Sequence, residues 1–211
     1  MSLSEKEWKE VLIMRHGVDV QEQISRGTVA IAGIGGLGSN IAVALVRLGI
    51  EKLHILDFDV VEPSNLNRQV YLQKHLGMAK VDALEDFLKE INPHVEVKKT
   101  KARISSENVK ELFKDEDIIC EAFDVKESKG MLVNELIENF PDKYIVSASG
   151  MGGYTSGNDI TTRKFGKNLF VSGDGNSDIA KGDILMAPRV AICANHQANV
   201  VLRLLLGITE A

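Results

Sequence analysis

The sequence has little cysteine, no long apolar run and no excess of positive charge. Its 211 residues include two cysteines, Cys120 and Cys193, which lie far apart in apolar segments and form no CxxC pair. A four-cysteine zinc site is therefore excluded, and a disulfide framework is not expected. The five histidines show no metal-ligand spacing. These absences leave a protein that relies on its own core, in keeping with a reducing compartment.

Charge and hydropathy exclude further classes of protein. The chain carries 30 acidic and 25 basic residues, for a net charge of −5. Proteins that bind nucleic acid usually show a basic stripe, so neither nucleic acid nor a membrane is expected as a partner. Apolar segments are interrupted before the roughly 20 residues of a membrane span. The polar N-terminus lacks the apolar core of a signal peptide, and we expect a cytoplasmic protein.

Short apolar segments alternate with helical patterns along most of the chain. Strands are predicted at 28–32, 52–57, 95–98, 117–121 and 144–148, and helices at 5–14, 39–48, 80–91 and 126–139, with a short one after 105–108. This order predicts an α/β fold, with a Rossmann-like, mainly parallel sheet flanked by helices on both faces.

The composition changes after Gly150. Residues 150–187 are rich in Gly, Ser, Asn and Asp, with two short strands predicted at 159–164 and 169–172, and an apolar helix is predicted over 189–206. We predict one domain over 1–211: a helical arm (1–27), a nucleotide-binding core (28–149) and a remodelled C-terminal part (150–211) that adds antiparallel strands. The final helix fits either the core or a dimer surface.

The 18 glycines are clustered, and one cluster has a recognisable spacing. Residues 33–38 read Gly-Ile-Gly-Gly-Leu-Gly, between a predicted strand and a predicted helix. In a GxGxxG turn the first glycine permits the tight turn, the second lets the backbone approach a phosphate, and the third allows helix–strand packing. Free N–H groups at the helix start favour an anion. Asp57, ending the next strand, is placed to hydrogen-bond a ribose hydroxyl. An adenosine phosphate is indicated; a purely structural turn is the alternative.

The residues that follow Asp57 in the sequence favour a nucleoside triphosphate over NAD as the ligand. Arg68 can donate two hydrogen bonds to phosphate oxygens. Lys80 begins a helix, where the helix dipole disfavours a cation, and an anion bound at that end would explain the lysine. Both could also be ordinary surface charges. Asp124 follows the fourth strand at the ligand-binding edge and could bind Mg²⁺. Asp59 and Glu62 are either solvated loop acids or supporting groups.

Several motifs together resemble one family. Gly33–Gly38, Asp57–Asp59, Ser64–Gln69, Gly77-x-x-Lys80 and Ile91-Asn92-Pro93 are similar to the ubiquitin-activating superfamily, whose bacterial members are ThiF and MoeB. The resemblance is dense over 28–125 and looser through Met186–Arg189 and the last helix. It is greatest to the short ThiF-type proteins linked to thiamine biosynthesis.

The resemblance implies an adenylyltransferase. Such an enzyme binds ATP and Mg²⁺, and the C-terminal Gly-Gly carboxylate of a small ubiquitin-like sulfur carrier attacks the α-phosphate, releasing pyrophosphate. A ThiS-like carrier of thiazole synthesis is expected; a molybdopterin-type or other carrier is the alternative, and a related branch acts on tRNA. Relatives are dimers, so a homodimer is expected. An NAD-dependent oxidoreductase and a non-catalytic partner of the same fold are the competing hypotheses.

The resemblance also assigns roles to residues. Asp124 matches the magnesium-binding acid, and Arg15 is the candidate for an arginine that reaches into the partner subunit's site. The implied catalytic residues are Arg68, Lys80, Asp124 and Arg15. The implied nucleotide-binding residues are Gly33, Gly35, Gly36, Leu37, Gly38, Asp57, Asp59, Asn65, Asn67, Arg68, Gln69 and Lys80.

The chain departs from the family pattern in three places. It lacks the two CxxC zinc pairs of many relatives, so no zinc is expected. Residues 172–187, equivalent to the loop over the carrier tail, contain no cysteine, so we expect adenylation without a covalent enzyme–carrier intermediate; Cys120 and Cys193 are interpreted as core residues. Val125 stands where an asparagine usually follows the magnesium aspartate. Gly150–Gly153 either leave room for the carrier tail or form a simple turn.

Overall fold

A seven-stranded sheet is the centre of the molecule. The structure is a computed structural model that describes residues 3–177 and 182–211. Within this part of the chain the strand order is β3-β2-β1-β4-β5-β7-β6. All neighbouring strands are parallel except β6 and β7, which confirms the α/β prediction and the antiparallel addition. The strands are β1 (Thr28–Ala32), β2 (Lys52–Leu56), β3 (Glu96–Thr100), β4 (Ile118–Glu121), β5 (Tyr144–Ala148), β6 (Thr161–Phe165) and β7 (Leu169–Gly173).

Helices cover both faces of the sheet, as predicted. They are α1 (Glu5–His16), α2 (Val18–Ser25), α3 (Gly36–Leu48), α4 (Lys80–Ile91), α5 (Val109–Leu112), α6 (Lys126–Asn139) and α7 (Ala187–Leu205). One apolar cluster joins α3, α4 and α7 to the sheet, and a second joins α5 and α6 to the opposite face. Short 3₁₀ turns occupy Pro63–Asn65, Gln73–His75 and Gly157–Asp159.

The structure corrects the sequence interpretation at two helices and selects between its two alternatives for a third. A second N-terminal helix, α2, follows Gly17. The φ of +85° at Gly17 ends α1 and separates the two helices. The helix after the glycine turn begins at Gly36 rather than Ser39. The final helix belongs largely to the core, because it packs along α3 and buries one face that includes Cys193 and Val201.

The sheet topology determines where a ligand can bind. The strand order reverses between β1 and β4, and the crevice outside the carboxyl ends of such strands is the usual ligand site of open α/β sheets. The loops that follow β1, β2 and β4 all begin at this edge, because the three strands are parallel. Separately, no helix within residues 3–177 and 182–211 is long and apolar enough to cross a membrane.

Candidate active site

The glycine turn between β1 and α3 is tightly packed at its two ends. Gly33 has a φ of +84°, which side chains rarely adopt. A Cβ built on Gly38 would lie 1.9 Å from the Gly33 carbonyl oxygen. A Cβ on Gly35, by contrast, would meet only the Gln69 amide, at 3.7 Å. The turn therefore needs its first and third glycines for backbone packing, and the second leaves its surface open.

Asp57 is held beside this turn by backbone donors. The Ile34 N–H donates to Asp57 Oδ2 at 2.9 Å, and the Asp59 N–H donates to Asp57 Oδ1 at 2.9 Å. The carboxylate is buried. Each oxygen keeps a further lone pair for another donor. The predicted ribose acid is therefore oriented at the end of β2, next to the start of α3.

Lys80 is a buried residue in this site. It begins α4, and its side chain donates to Asp59 Oδ2 at 3.0 Å and lies 3.9 Å from Asp57 Oδ2. Only 7% of the residue is exposed. A lysine this buried requires a charged partner, so its interpretation as an ordinary surface charge is wrong. Asp59 is exposed but paired with Lys80, as a supporting group would be.

Arg68 and Gln69 bring two unpartnered polar atoms to the turn. Arg68 Nη1 donates to the Ser64 carbonyl at 3.1 Å and to Asn67 Oδ1 at 2.8 Å. Arg68 Nε and Gln69 Oε1 are buried without a hydrogen-bond partner among the described residues. The Arg68 side chain would lie 3.6 Å from a Cβ on Gly36. Buried polar groups normally have partners, so these two atoms fit a site that receives a polar ligand.

Asn65 and Asn67 arrange the loop rather than point freely outward. Asn65 Oδ1 accepts from the Glu62 N–H at 3.0 Å, which closes the 3₁₀ turn. Asn67 Nδ2 donates to the Leu185 carbonyl at 3.3 Å. The loop is thereby joined to the segment before α7.

Three further residues tie this loop to the glycine turn, and the sequence interpretation missed them. The Tyr71 hydroxyl donates to the Ile34 carbonyl at 2.7 Å. Asn40 Nδ2 donates to the carbonyls of Gly36 (2.7 Å) and Arg68 (3.2 Å), and Ser39 Oγ accepts from the Val70 N–H at 3.4 Å. Burial, with the nearby aspartates, raises the pKa of Tyr71, so it stays a neutral donor. The polar Ser39-Asn40 pair in an apolar helix was the available signal.

Asp124 lies in the loop after β4, at the predicted edge. It is exposed, and its carboxylate makes no hydrogen bond or ion pair within the described part of the chain. The two residues before it pack against the turn, because a Cβ on Gly33 would lie 2.9 Å from the Phe123 ring and 3.1 Å from the Ala122 carbonyl oxygen. Buried Glu121 anchors this loop through Lys129 (2.6 Å) and the Phe123 N–H (2.8 Å).

Comparison with known proteins identifies the family. A family model described as ThiF family matches residues 9–211. The chain belongs to the ThiF family. The sequence is 35% identical over 137 residues to the adenylyltransferase and sulfurtransferase UBA4 of Candida glabrata, covering 64% of this chain and 31% of that protein. It is 31% identical over 140 residues to the sulfur carrier protein adenylyltransferase of Thermus thermophilus, covering 66% of this chain and 46% of that protein.

Solved structures show the same fold over nearly all of this ThiF-family chain. E. coli tRNA N6-threonylcarbamoyladenosine dehydratase, TcdA, in complex with ATP, superposes with a TM-score of 0.86 at 20% identity, covering 98% of each chain. E. coli MccB with AMPCPP and MccA superposes with a TM-score of 0.71 at 21% identity, covering 92% of this chain and 61% of that one. The curated relatives named above are longer, and this chain spans between about a third and a half of them.

Arg15 is not brought to the site of its own ThiF-family chain. It is exposed on α1, whose Leu12 packs against Gly49 at the C-terminal end of α3. The glycine turn is at the other end of that helix, which at 1.5 Å per residue is about 20 Å long. A contribution from Arg15 thus requires a second protomer, and this role stays a prediction.

Both cysteines are core residues, as interpreted from the sequence. Cys120 and Cys193 are fully buried, and burial raises the pKa of the Cys193 thiol to about 12. Among residues 3–177 and 182–211, no three His, Cys, Asp or Glu groups cluster as metal ligands. The expected absence of zinc stays a prediction. Residues 178–181, within the predicted loop over the carrier tail, lie outside the described residues.

Proposed function

We propose that this chain binds ATP with Mg²⁺ and adenylates the C-terminal glycine carboxylate of a small ubiquitin-like sulfur carrier, releasing pyrophosphate. The observation that carries the proposal is that two cations lie near the open glycine turn, Lys80 through its pairing with Asp59 and Asp57 and Arg68 through its packing against Gly36, with buried unpartnered atoms on Arg68 and Gln69. The adenylyltransferase names of the relatives support the reaction class.

Each residue has a physical role in this reaction. The free N–H groups at the start of α3 bind phosphate oxygens through backbone donors and the helix dipole. Asp57 accepts from a ribose hydroxyl with its remaining lone pairs. Lys80 and Arg68 neutralise the charge that develops when a carboxylate attacks the α-phosphate and pyrophosphate leaves. The carboxylate oxygen forms the new P–O bond, and the bond to the pyrophosphate oxygen breaks.

Asp124 is the proposed ligand of Mg²⁺. Its carboxylate is exposed at the ligand edge, and hard cations of this kind prefer oxygen ligands from one or two carboxylates together with substrate phosphates. When bound, the ion would neutralise the triphosphate and assist departure of pyrophosphate. One protein carboxylate at this position is therefore compatible with the group.

The acceptor is proposed to be a ThiS-like carrier of thiamine thiazole synthesis; a molybdopterin-type or other sulfur carrier is the alternative. The name of the Thermus thermophilus relative supports a sulfur carrier as the class. The loop over Gly150–Gly153 is proposed to receive the extended tail. We place the reaction in the cytoplasm, where the two buried thiols would stay reduced.

ATP–pyrophosphate exchange tests the proposal directly. Purified protein is incubated with ATP, Mg²⁺ and labelled pyrophosphate, with a ThiS-like or a molybdopterin-type carrier, each intact or lacking its Gly-Gly end. Exchange only with an intact carrier supports the proposal, and the better carrier identifies the pathway. No exchange with any carrier overturns it. In that case, calorimetry separates an NAD-dependent oxidoreductase, which binds NAD, from a non-catalytic partner, which binds ATP without turnover.

We further propose a homodimer in which Arg15 acts in the partner's site. The position of Arg15 on α1, away from the glycine turn of its own chain, supports this role. Inactive Arg15→Ala and Lys80→Ala proteins, mixed under subunit exchange, should regain about a quarter of wild-type activity, because half of the dimers then hold one intact site. No recovery, with exchange of subunits verified by mass, would remove this role.

A further inference from the structure

Arg189 is a buried cation in the first turn of α7 that the reaction proposed above does not use. Only 3% of the residue is exposed. The helix dipole disfavours a positive charge at this end of a helix. Nε donates to the Gly152 carbonyl at 3.0 Å, Nη1 donates to the Thr155 carbonyl at 2.9 Å and also to the Ser156 carbonyl, and Nη2 pairs with Asp174. The side chain is thus committed to one loop and one carboxylate.

Asp174 is equally committed. Its Oδ1 accepts from the N–H groups of Asn176 and Ser177, both at 2.8 Å, and from the Ser177 hydroxyl at 3.1 Å. Burial alone would raise the pKa of Asp174, but these hydrogen bonds and the Arg189 charge outweigh it and hold the pKa below its usual range. The ion pair therefore persists at neutral pH.

This pair connects three segments beside the glycine turn. The loop after β5 is fixed by Arg189 and by a hydrogen bond from the Gly153 N–H to the Ile184 carbonyl at 2.8 Å. The loop after β7 is fixed by Asp174. The next residue of α7, Val190, contacts the turn itself, since a Cβ on Gly36 would lie 3.0 Å from its Cγ1. The position of the β5 loop is thereby set relative to the phosphate site.

A segment with glycines at positions 150, 152 and 153 has little conformational preference of its own, and ordering it is entropically unfavourable. The planar guanidinium offers several donors in fixed directions, whereas a lysine offers one flexible point charge. Only an arginine can hold the three carbonyls of Gly152, Thr155 and Ser156 while also pairing with Asp174.

We infer that Arg189 is a positioning residue for the acceptor. Together with Asp174 it holds residues 150–156 as a preformed surface for an extended peptide C-terminus with small terminal residues, while nucleotide binding depends on the glycine turn and the residues around it. The inference rests on the proposed adenylation of a carrier tail. It assigns acceptor recognition to residues outside the set assigned above to the nucleotide.

The test compares Arg189→Lys with Arg163→Lys, an exposed arginine on β6, as the matched control. Arg189→Lys should raise the KM for the carrier about 10-fold or more, the size of losing one hydrogen bond to a charged group. The Kd for ATP should stay within about twofold because the groups assigned to the nucleotide are intact. Asp174→Asn, which keeps the shape and removes the charge, should raise the carrier KM in the same way. Arg163→Lys should change neither quantity.

Hydrogen exchange of the backbone provides a readout that does not depend on activity. In Arg189→Lys, peptides covering 150–156 should exchange at least about tenfold faster, while peptides of the glycine turn keep their protection. Unchanged exchange in 150–156, or a parallel loss of carrier and ATP binding, overturns the inference. If the wild-type protein catalyses pyrophosphate exchange with none of the carriers tested, the proposed function and the acceptor role of Arg189 are both overturned. The hydrogen-exchange result then tests only whether Arg189 positions residues 150–156.

Discussion

The amino group of Lys80 lies 3.0 Å from Oδ2 of Asp59, and the two residues differ sharply in exposure. Lys80 is 7% exposed, whereas Asp59 is at the surface. The buried positive charge of Lys80 is therefore balanced by a carboxylate at the surface. A phosphate bound at the start of α3 would share or replace this ion pair.

Replacing Lys80 or Arg68 by alanine should reduce the rate of pyrophosphate exchange by about 10²–10³-fold, because each removes one preorganised charge from the phosphates. The measurement is exchange at saturating ATP and carrier. Lys74→Ala is the matched control, since Lys74 forms an exposed ion pair with Asp86. Unchanged rates in variants that fold would remove the assigned roles.

Two glycine-to-alanine substitutions should change stability in opposite directions. Gly38→Ala would place a methyl group 1.9 Å from the Gly33 carbonyl oxygen, and we expect a loss of about 4 kcal/mol or more. Gly130 lies within α6, and a Cβ there meets nothing within 4 Å, so Gly130→Ala should add about 0.5–1 kcal/mol. Urea unfolding measures both. A Gly38→Ala protein as stable as the wild type would contradict the packing described.

The fall in the free energy of unfolding at acidic pH should depend on Glu116. Its Oε1 lies 2.7 Å from His54 Nδ1 and 3.1 Å from Lys98 Nζ. Burial alone would raise the pKa of Glu116, but these partners outweigh it and hold the pKa below its usual range. The stabilisation is therefore present above the unfolded pKa, about 4.3, and is lost as the pH falls through the folded pKa.

Glu116→Gln should accordingly flatten the fall in unfolding free energy between about pH 5 and pH 3. Urea unfolding at several pH values measures this slope. Asp142→Asn is the control, because its pair with Lys167 is solvent-exposed and should contribute little. If Glu116→Gln leaves the pH dependence of the unfolding free energy unchanged, other groups determine the loss of stability in acid.

Cys120→Ala and Cys193→Ala should leave the adenylation rate within about threefold of wild type, because both thiols are buried and protonated rather than nucleophilic. The loss of packing should lower stability by about 1 kcal/mol each. Mass spectrometry of the enzyme after incubation with ATP and carrier should show no covalent conjugate. A conjugate that disappears in Cys193→Ala would contradict the expectation of chemistry without a covalent intermediate.

Elements with strong local signals were predicted closely. The bounds of α4 (Lys80–Ile91) and α6 (Lys126–Asn139) agree with the sequence interpretation, because the proline that closely follows each helix is a local signal for where it ends. The helix α2 was missed because it has only eight residues and no side-chain N-cap, and its place depends on Gln21, whose amide donates to the Gly49 carbonyl at 3.2 Å. A contact of this separation is not visible in a local pattern.

The sequence by itself determined the α/β alternation, the glycine turn and the positions of Asp57 and Asp124 just after the ends of β2 and β4, because parallel strands bring their carboxyl ends to one edge. Only the tertiary structure decided that Lys80 is buried against Asp59, and that Arg189 holds a loop 33 to 37 residues away. The periodicity of apolar residues and the spacing of motifs indicate which local conformation a segment favours. The partners of a buried charge are selected by the whole fold, which must desolvate that charge and satisfy every donor at once.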